Sequence, residues 1–521
     1  MRFFFTTGLL MLVFSGVMSK DYNIMDFGAL PDGKTFATQA IQEAIDKASD
    51  KGGGKVIIPD GTFLSGTIVL KSNVELYLEE GAVLLGSIDI QDYDRIKNDH
   101  ALIIARDQKD IMISGKGVIN GRGQELALAM DSLHHSGNAI DKGYNHRRLR
   151  PAGRPNLIKM SNCSNVKITD IKAMNGTNWV IRLDKCDQLV IDRIHIDSDA
   201  FWNNDGIDIE DCKNVRITNS YVNAADDGIC LKSNDPQSYC DQVYIANNTV
   251  RSSASAIKFG TRSNGGFKNI VIEDITIYDT FRSALAFEAV DGGVIENITA
   301  TNVFAVNTGN AIFIKLGHRN VDGEIGSIRN ITIKNLDVHI PFETPDLKYK
   351  IRGPQLPFFH NPFPASISGL PGHDVENVTI EDVSISYPGR ADRGYAHMDL
   401  WRLDDVPENE SQYPEFSMFG ELPSWGFYVR HVNGLKLKNV RLSVRDVDFR
   451  PAYVFDDVKN LTLEGGSITS LSNNDQLILK DTKQVVLENL ISDGEKIIEV
   501  PGYGTNTEVS GVEVKIKVGK D

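Results

Sequence analysis

A short phrase recurs along most of the chain and limits the folds that it can adopt. Its first clear copy reads Cys163-Ser-Asn-Val-Lys-Ile-Thr-Asp-Ile, and cysteine holds the same place in later copies at Cys186, Cys212 and Cys240. The phrase continues without cysteine at Asn269, Asn297, Asn330, Asn377 and Asn460. The cysteines of successive copies are 23, 26 and 28 residues apart. A repeat of that length indicates a solenoid, in which each unit buries its apolar face against its neighbours.

Each unit contains short runs of β-branched residues that alternate with polar ones and end at Asn, Asp or Gly. Alternation in short parallel strands sends one set of side chains inward and the other outward. The predicted fold is therefore all-β, a single-stranded parallel β-helix. A solenoid needs its open end covered. Apolar residues recur at helical spacing from Ala37 to Ala48 and stop at Gly52, which predicts an N-terminal helical cap.

The chain has 521 residues, a formal charge of −15 and five cysteines without Cys-x-x-Cys spacing. The acidic balance disfavours nucleic acid and anionic membranes as partners, and the cysteine spacing favours neither a zinc site nor a disulfide framework.

Residues 1–19 read as a signal peptide, so we expect export to the periplasm or the external medium. We expect residues 20–521 to form one domain, most simply a monomer, with long loops at 340–374 and 389–432.

Two consecutive coils carry acidic turns of similar sequence. Aligning Ile207 with Ile229 as buried residues places Asp205 beside Asp227, with Asp226 one residue further out. Carboxyls crowded in this way cannot all ionise easily, so one can donate a proton while the others polarise a water. That division of work is what glycoside hydrolysis requires. The alternative is structural, since Asp and Asn commonly occupy the turns of such coils.

The Asn-x-Asp-Gly phrase, the Asp-Asp pair on the next coil, the repeat and Asp26-Phe27-Gly28-Ala29 together resemble the polygalacturonase and rhamnogalacturonase family, glycoside hydrolase family 28. The resemblance extends from about Asp21 to Asn297. It implies a right-handed β-helix that cleaves an α-linked pectin-related or other acidic polysaccharide, of galacturonan or rhamnogalacturonan type, with inversion. It further implies Asp226 as general acid, Asp205 and Asp227 as the residues that hold the attacking water, and no metal or organic cofactor.

The chain departs from the family at the positions that would bind the substrate carboxylate. The family's Gly-His-Gly and Arg-Ile-Lys motifs are missing, with Ser255 where the His would stand and Ala286 and Glu288 in place of Arg and Lys. Glu288 would repel a galacturonate carboxylate. Lys258 and Arg182 fall in one outward row of neighbouring coils, so they could bind the substrate carboxylate from different positions.

Each of these residues has an alternative role. Lys258 and Arg182 could instead form surface salt bridges with Asp208 or Glu210, and Trp179 could stack on a sugar or pack against the solenoid. The basic stretch from His146 to Arg150 could bind acidic groups or form a solvated loop. The predicted substrate-binding residues are Trp179, Arg182, Asn204, Ser255, Lys258, Arg262 and Glu288.

Two other functions compete with hydrolysis. One is a β-eliminating lyase or an epimerase on the same scaffold, with calcium held by the aspartates and with Lys258 or Arg262 as the base. The other is a non-catalytic carbohydrate-binding or adhesin β-helix. Within the hydrolase interpretation, a loop such as 340–374 could close one end of the groove and favour action on chain ends.

Overall fold

Each coil of the chain contributes up to three short strands, and each strand pairs in parallel with its equivalents in the neighbouring coils. The computed structural model describes residues 20–146, 149–356, 363–394, 400–474 and 476–492. Along these ranges the chain forms a right-handed, single-stranded parallel β-helix, which confirms the predicted fold. We call the three stacks of strands the first, second and third columns, in the order in which they follow the N-terminal cap.

The strands fall into four groups by the column they join. Short strands of the first column are Asp21–Asn23, Gly54–Ile58, Val74–Leu78, Lys109–Gly115, Ser164–Thr169, Asp187–Asp192, Lys213–Thr218 and Lys483–Glu488. Those of the second are Asp32–Phe36, Gly61–Ser65, Ala82–Gly86, Val118–Asn120, Lys172–Met174, His195–Ser198, Tyr221–Ala224, Arg441–Val444, Ser467–Thr469 and Ile491–Ser492. Those of the third are Ile68–Val69, Asp99–Arg106, Asn156–Ser161, Ile181–Asp184, Ile207–Glu210, Ile229–Ser233, Ile257–Ser263, Ala365–Ser368 and Leu477–Lys480. Seven longer strands turn a corner and serve two or three columns: Cys240–Ser252, Gly266–Ala289, Val294–Leu316, Ser327–His339, Val375–Tyr387, Phe427–Lys438 and Tyr453–Glu464. A short strand, Arg95–Ile96, pairs antiparallel with Asp99–Arg106.

Stacked side chains explain why the repeat folds in this way. Inside the first column, Val166 lies in register with Leu189, and Leu189 with Val215, so branched apolar residues form a continuous buried row. At the corners, asparagines adopt left-handed backbone angles, which this residue tolerates better than most. The side-chain amide of Asn297 donates to Asn269 on the coil before it at 3.0 Å. Such ladders satisfy polar groups at each corner.

The predicted cap is an α-helix, Thr38–Asp50, whose buried face covers the first coils. Its buried residues are Ala40, Ile41, Ala44, Ile45 and Ala48. A second α-helix, Gly123–His135, was not predicted, because its Ala- and Leu-rich segment is an insertion between two coils and lies outside the repeat. Short 3-10 helices occupy Ile24–Phe27, Ile90–Asp92 and Leu400–Asp405. Among the described residues, neither α-helix has the length and apolarity that a membrane span requires.

The predicted loop at 340–374 needs one correction. It contains a strand of the third column, Ala365–Ser368, which pairs with Phe313–Lys315 before it and with Phe427–Arg430 after it. Its Ala-Ser-Ile-Ser sequence has too few branched residues to stand out among the neighbouring prolines. The predicted loop at 389–432 likewise ends early, because its last residues enter the strand Phe427–Lys438.

All five cysteines are buried and free, and four of them stack along one corner. The backbone N–H of Cys163 faces the sulfur of Cys186 at 3.4 Å, and that of Cys186 faces the sulfur of Cys212 at 3.3 Å. Small, weakly polar side chains fit this narrow interior well.

Candidate active site

The strand register brings the acidic turns together as the sequence alignment predicted. Ile207 pairs with Ile229, and the backbone N–H of Gly206 donates to the carbonyl of Asp227 at 2.9 Å. Both turns lead from the second column into the third. Asp205 and Asp227 therefore occupy equivalent positions on adjacent coils.

These turns open into a cavity of about 620 Å³ on the face of the third column. Six predicted site residues line it: Trp179, Asp205, Asp226, Asp227, Lys258 and Arg262. Residues that sequence reasoning did not select also line it, among them Asn203, Lys232, Arg282, Arg319, Arg352, Tyr413 and Glu415. The cavity thus combines side chains of the coils with side chains of the two long loops.

Asp205 is buried against a lysine of the next coil. Its Oδ2 lies 3.2 Å from Nζ of Lys232, which also contacts the carboxylate of Asp208. Burial, together with the nearby charge of Asp208, raises the pKa of Asp205 well above its usual value despite Lys232. Burial likewise raises the pKa of Asp208 to about 6.

Asp227 has a different environment. Its Oδ2 lies 3.2 Å from Nζ of Lys258, and its Oδ1 accepts a hydrogen bond from the backbone N–H of Ser255 at 3.2 Å. Burial alone would raise the pKa of Asp227, but Lys258, Lys232 and Arg282 together hold it below the usual value. Asp227 is therefore kept ionised by its cationic neighbours, in contrast to Asp205.

Asp226 lies at the outer edge of the acidic turn and is only half-buried. Its Oδ2 accepts a hydrogen bond from the amide of Asn203 at 3.2 Å, and its backbone carbonyl accepts one from the hydroxyl of Ser252 at 2.5 Å. The three carboxyls of the acidic turns therefore differ, because Asp205 and Asp227 are buried beside lysines, whereas Asp226 lies at the outer edge and accepts a hydrogen bond from an amide.

Lys258 is itself almost completely enclosed, at 1% exposure. Besides Asp227, its Nζ lies 3.9 Å from Oε2 of Glu288 and 3.2 Å from the hydroxyl of Tyr413, which comes from the long loop. Glu288 lies beneath Lys258, and burial raises its pKa to about 7 although Lys258 acts in the opposite direction.

The remaining predicted binding residues lie outside the cavity lining. Arg182 forms an ion pair with Glu210 at 2.6 Å, as the salt-bridge alternative anticipated, although it also lines a neighbouring groove. Asn204 is fully buried and accepts a hydrogen bond from the hydroxyl of Ser198 at 2.9 Å. Ser255 contacts the acidic turn through its backbone N–H, which donates to Asp227.

Trp179 forms one wall of the cavity beside two cations. The guanidinium of Arg182 lies 4.7 Å and the ammonium of Lys232 4.5 Å from the centre of a Trp179 ring. These contacts fix the indole against the coil face and leave it half-buried.

Different signals would have found the overlooked residues. Lys232 lies on the strand Ile229–Ser233 that follows the Asp226-Asp227 turn, two residues past Cys230, so its outward position could be read from the alternation. Arg282 lies on the same long strand as Glu288, at the irregular corner of Gly266–Ala289 between the second and third columns. Tyr413 and Glu415 reach the cavity from a loop without repeat, and no sequence pattern places them there.

The surface cavity of this parallel β-helix holds carboxyls in different environments. Glycoside hydrolases use such carboxyls as the acid and the base of the reaction. Residues 49–348 match the family model described as Glycosyl hydrolases family 28. Because this match covers more than half of the chain, the protein belongs to family 28 of the glycosyl hydrolases. The predicted family resemblance is confirmed; the match begins at residue 49, later than the predicted Asp21, and extends beyond Asn297.

Individual relatives are distant. A probable polygalacturonase from Vitis vinifera is 26% identical over 333 residues, which are 60% of this chain and 60% of that protein. An exo-poly-alpha-D-galacturonosidase from Dickeya chrysanthemi is 23% identical over 498 residues, which are 86% of this chain and 75% of that protein. The structure of a hyperthermoactive exopolygalacturonase from Thermotoga maritima aligns with a TM-score of 0.56 at 24% identity, over 71% of this chain and 87% of that one. At that identity the structural likeness concerns the fold.

Proposed function

We propose that the protein hydrolyses an α-linked, pectin-related acidic glycan with inversion of configuration at the anomeric carbon. Asp226 has the role of general acid that the family resemblance implies, and its place at the outer edge of the acidic turn leaves it within reach of a glycosidic oxygen. Asp205 and Asp227 hold the attacking water, and Asp227 takes its proton because nearby cations keep it ionised. The main support for the proposal is that Asp205, Asp226 and Asp227 line the same cavity and lie in different environments.

The lining of the cavity favours an anionic substrate. Seven cationic side chains line it: Arg150, Lys232, Lys258, Arg262, Arg282, Arg319 and Arg352. Four carboxyls oppose them, those of Asp205, Asp226, Asp227 and Glu415. Several cations are already engaged, as Arg319 is with Asp291 at 2.6 Å and Arg282 with Glu415 at 3.1 Å. The excess positive charge in a chain of formal charge −15 nevertheless suits uronate residues.

Action at a chain end follows from how the coils beyond the cavity are covered. A second apolar cluster joins residues of the third column to residues of the long loops: Ala286, Phe313, Phe363, Leu403, Val406, Phe416, Phe419, Leu422, Tyr428 and Val454. It occupies the column face on the C-terminal side of the catalytic turns. A glycan therefore extends from the cavity in the N-terminal direction alone, which favours exo cleavage.

Elimination or epimerisation is less compatible with this geometry. The lysines at 3.2 Å from Asp205 and Asp227 already neutralise the oxygens that would bind calcium. Lys258 is enclosed between acids, so its protonated form is favoured and it is a poor base. An ultraviolet assay separates the reactions, since elimination creates a conjugated double bond and hydrolysis does not.

We further propose that residues 20–521 act as one exported domain. The support is the signal-like sequence of residues 1–19, which lie outside the described part of the chain, and the resumption of the coils after both long loops.

The test follows the products of oligogalacturonides by NMR, with rhamnogalacturonan fragments as a second substrate. The wild type should release a first product of inverted configuration. Asp226→Asn should lower kcat by about a thousandfold while the protein stays folded. A first product of retained configuration would contradict the roles given to Asp205 and Asp227, and full activity of Asp226→Asn would contradict the general acid. Glycan binding without turnover by either protein would favour the carbohydrate-binding alternative.

A further inference from the structure

A second groove lies on the face of the third column, on the N-terminal side of the catalytic cavity. Its volume is about 310 Å³, and its lining is polar: Asn98, Asp99, Arg106, Lys159, Asn162, Arg182, Asp184 and Lys185. Four of these side chains are cationic and two are carboxylates. The groove therefore offers cationic and amide donors, although Arg182 and Lys185 are paired with Glu210 and Asp235, which lie outside its lining. Cations and amides are groups that bind a carboxylate.

Lys159 is the unusual member of this set. Its side chain is only 3% exposed, yet within the described part of the chain its Nζ has no hydrogen-bond partner. The nearest carboxylate oxygens belong to Glu210 at 3.6 Å and Asp184 at 3.7 Å, which are ion-pair distances longer than a hydrogen bond. A buried ammonium carries three donors, and leaving them unused is unfavourable.

The other cations of the groove have close partners. Arg106 pairs with Asp99 at 2.7 Å, and Lys185 pairs with Asp235 at 2.7 Å. Glu210, one of the two acids near Lys159, already accepts hydrogen bonds from Arg182 at 2.6 Å and from the amide of Asn234 at 3.0 Å. Among the described residues that line the groove, Lys159 is thus the buried cation whose ammonium group makes no hydrogen bond.

The register connects this groove to the catalytic cavity. Lys159 pairs with Arg182, Arg182 with Asp208, and Asp208 with Cys230, so these residues form one outward row that continues to Lys258. Lys159 lies two strands before the coil that carries Asp205, about 10 Å along the helix axis. An extended glycan that enters the catalytic cavity and leaves in the N-terminal direction passes over it.

We propose that the groove at Lys159 is a distal subsite that binds the carboxylate of a uronate residue in the same glycan chain that is cleaved. The proposal rests on the proposed function, because it assumes an acidic glycan in the cavity. Lys159 donates hydrogen bonds to the uronate, and Asn98 and Asn162 supply further polar contacts. The enzyme then favours chains long enough to reach from the scissile bond to this groove.

The experiment compares galacturonate dimers and hexamers as substrates of the full-length protein. Lys159→Met keeps the length of the buried side chain and removes its charge. It should lower kcat/KM on the hexamer by about tenfold or more and leave the dimer unaffected. Lys172→Met is the control, because Lys172 lies on the second column of the next coil, away from the groove, and it should change neither value.

A binding measurement tests the proposed subsite independently of the proposed hydrolysis. Calorimetric titration of hexagalacturonate into Asp226→Asn, with and without Lys159→Met, should show weaker binding for the double variant. If the wild type has no hydrolytic activity but this difference persists, the proposed hydrolysis fails and the subsite stands. Equal losses on dimer and hexamer, or hexamer binding that does not depend on Lys159, would overturn the subsite.

Discussion

At the scale of single residues, two buried lysines determine how the acids of the cavity share protons. Lys232 holds Asp205 and Asp208, whereas Lys258 lies between Asp227 and Glu288. Four buried carboxyls therefore face two ammonium groups, and they cannot all be ionised near neutral pH. The lysines keep part of the cluster charged and so prepare it for proton transfer.

Replacing Lys258 with Met tests whether it acts through Asp227. Without the ammonium, Asp227 loses the cation that lowers its pKa most, so that pKa rises and the acid limb of the kcat profile should move to higher pH. We expect a fall in kcat of about tenfold to a hundredfold and a loss of stability of ~3 kcal/mol from the uncompensated buried acids. The pH dependence of kcat and denaturant unfolding measure the two effects.

Lys258→Arg is the control for this substitution, since it keeps the positive charge and should keep the acid limb near its original position. A higher KM with an unchanged pH profile in Lys258→Met would instead mean that Lys258 binds the substrate directly.

Glu288 makes stability depend on pH. Its pKa in the folded protein is about 7, above its ordinary value of 4.5, so the folded state keeps a proton that the unfolded state has lost. Its contribution to the free energy of unfolding therefore falls as pH rises from about 4.5 to 7. Glu288→Gln should unfold at nearly the same denaturant concentration as wild type at pH 4.5 and at a higher one at pH 8. An equal difference between the two proteins at both pH values would show that Glu288 does not titrate in this range.

Sequence reasoning placed the carboxyls correctly but not their partners. The distance between Asp205 and Asp227 along the chain equals one coil, so repeat and alternation bring them together. The same alternation could have revealed Lys232, which was overlooked. The ion pair between Arg182 and Glu210 depends on side-chain conformation across adjacent strands, and sequence could only offer it as one of two alternatives.

At the scale of elements, the long loops complete the cavity and cover the neighbouring coils. Phe416 is buried in the apolar cluster, with its ring 5.2 Å from that of Phe363 and at a steep angle to it. The two rings come from different loops, so their contact holds both loops against the third column. The repeat predicted the strands because each repeats its neighbour's pattern, but the loops have no repeat and their path depends on these contacts.

Phe416→Ala should loosen this cover. Truncating a buried Phe removes roughly 3 kcal/mol or more of packing, and the loosened loop would let a glycan pass across the C-terminal side of the cavity. Chromatography of polygalacturonate digests should then show oligomers of mixed length where the wild type releases small products from chain ends. Phe304→Ala, at a ring that is 43% exposed on another face, should leave the product pattern unchanged. Wild-type products of mixed length would contradict the proposed end-specific cleavage at the outset.

At the scale of the whole molecule, the face that carries the catalytic cavity differs in charge from the rest of this acidic chain. The chain carries −15, yet its catalytic cavity and the groove at Lys159 are both lined by more cations than carboxylates. An anionic glycan is therefore repelled by most of the surface and attracted by one face. Attraction between partly exposed charges weakens as salt shortens the screening length from about 30 Å at 0.01 M to about 8 Å at 0.15 M.

Activity should accordingly depend on both salt and substrate charge. We expect KM for oligogalacturonides to rise severalfold between these two salt concentrations while kcat changes little, because the buried lysine and carboxyl pairs are screened far less. Methyl-esterified oligogalacturonides provide the control, since esterification removes the charge and keeps the sugar backbone, and any residual cleavage of them should be insensitive to salt. A KM for the free acids that does not change with salt, or that falls, would mean that the cations of this face serve the fold and not the substrate.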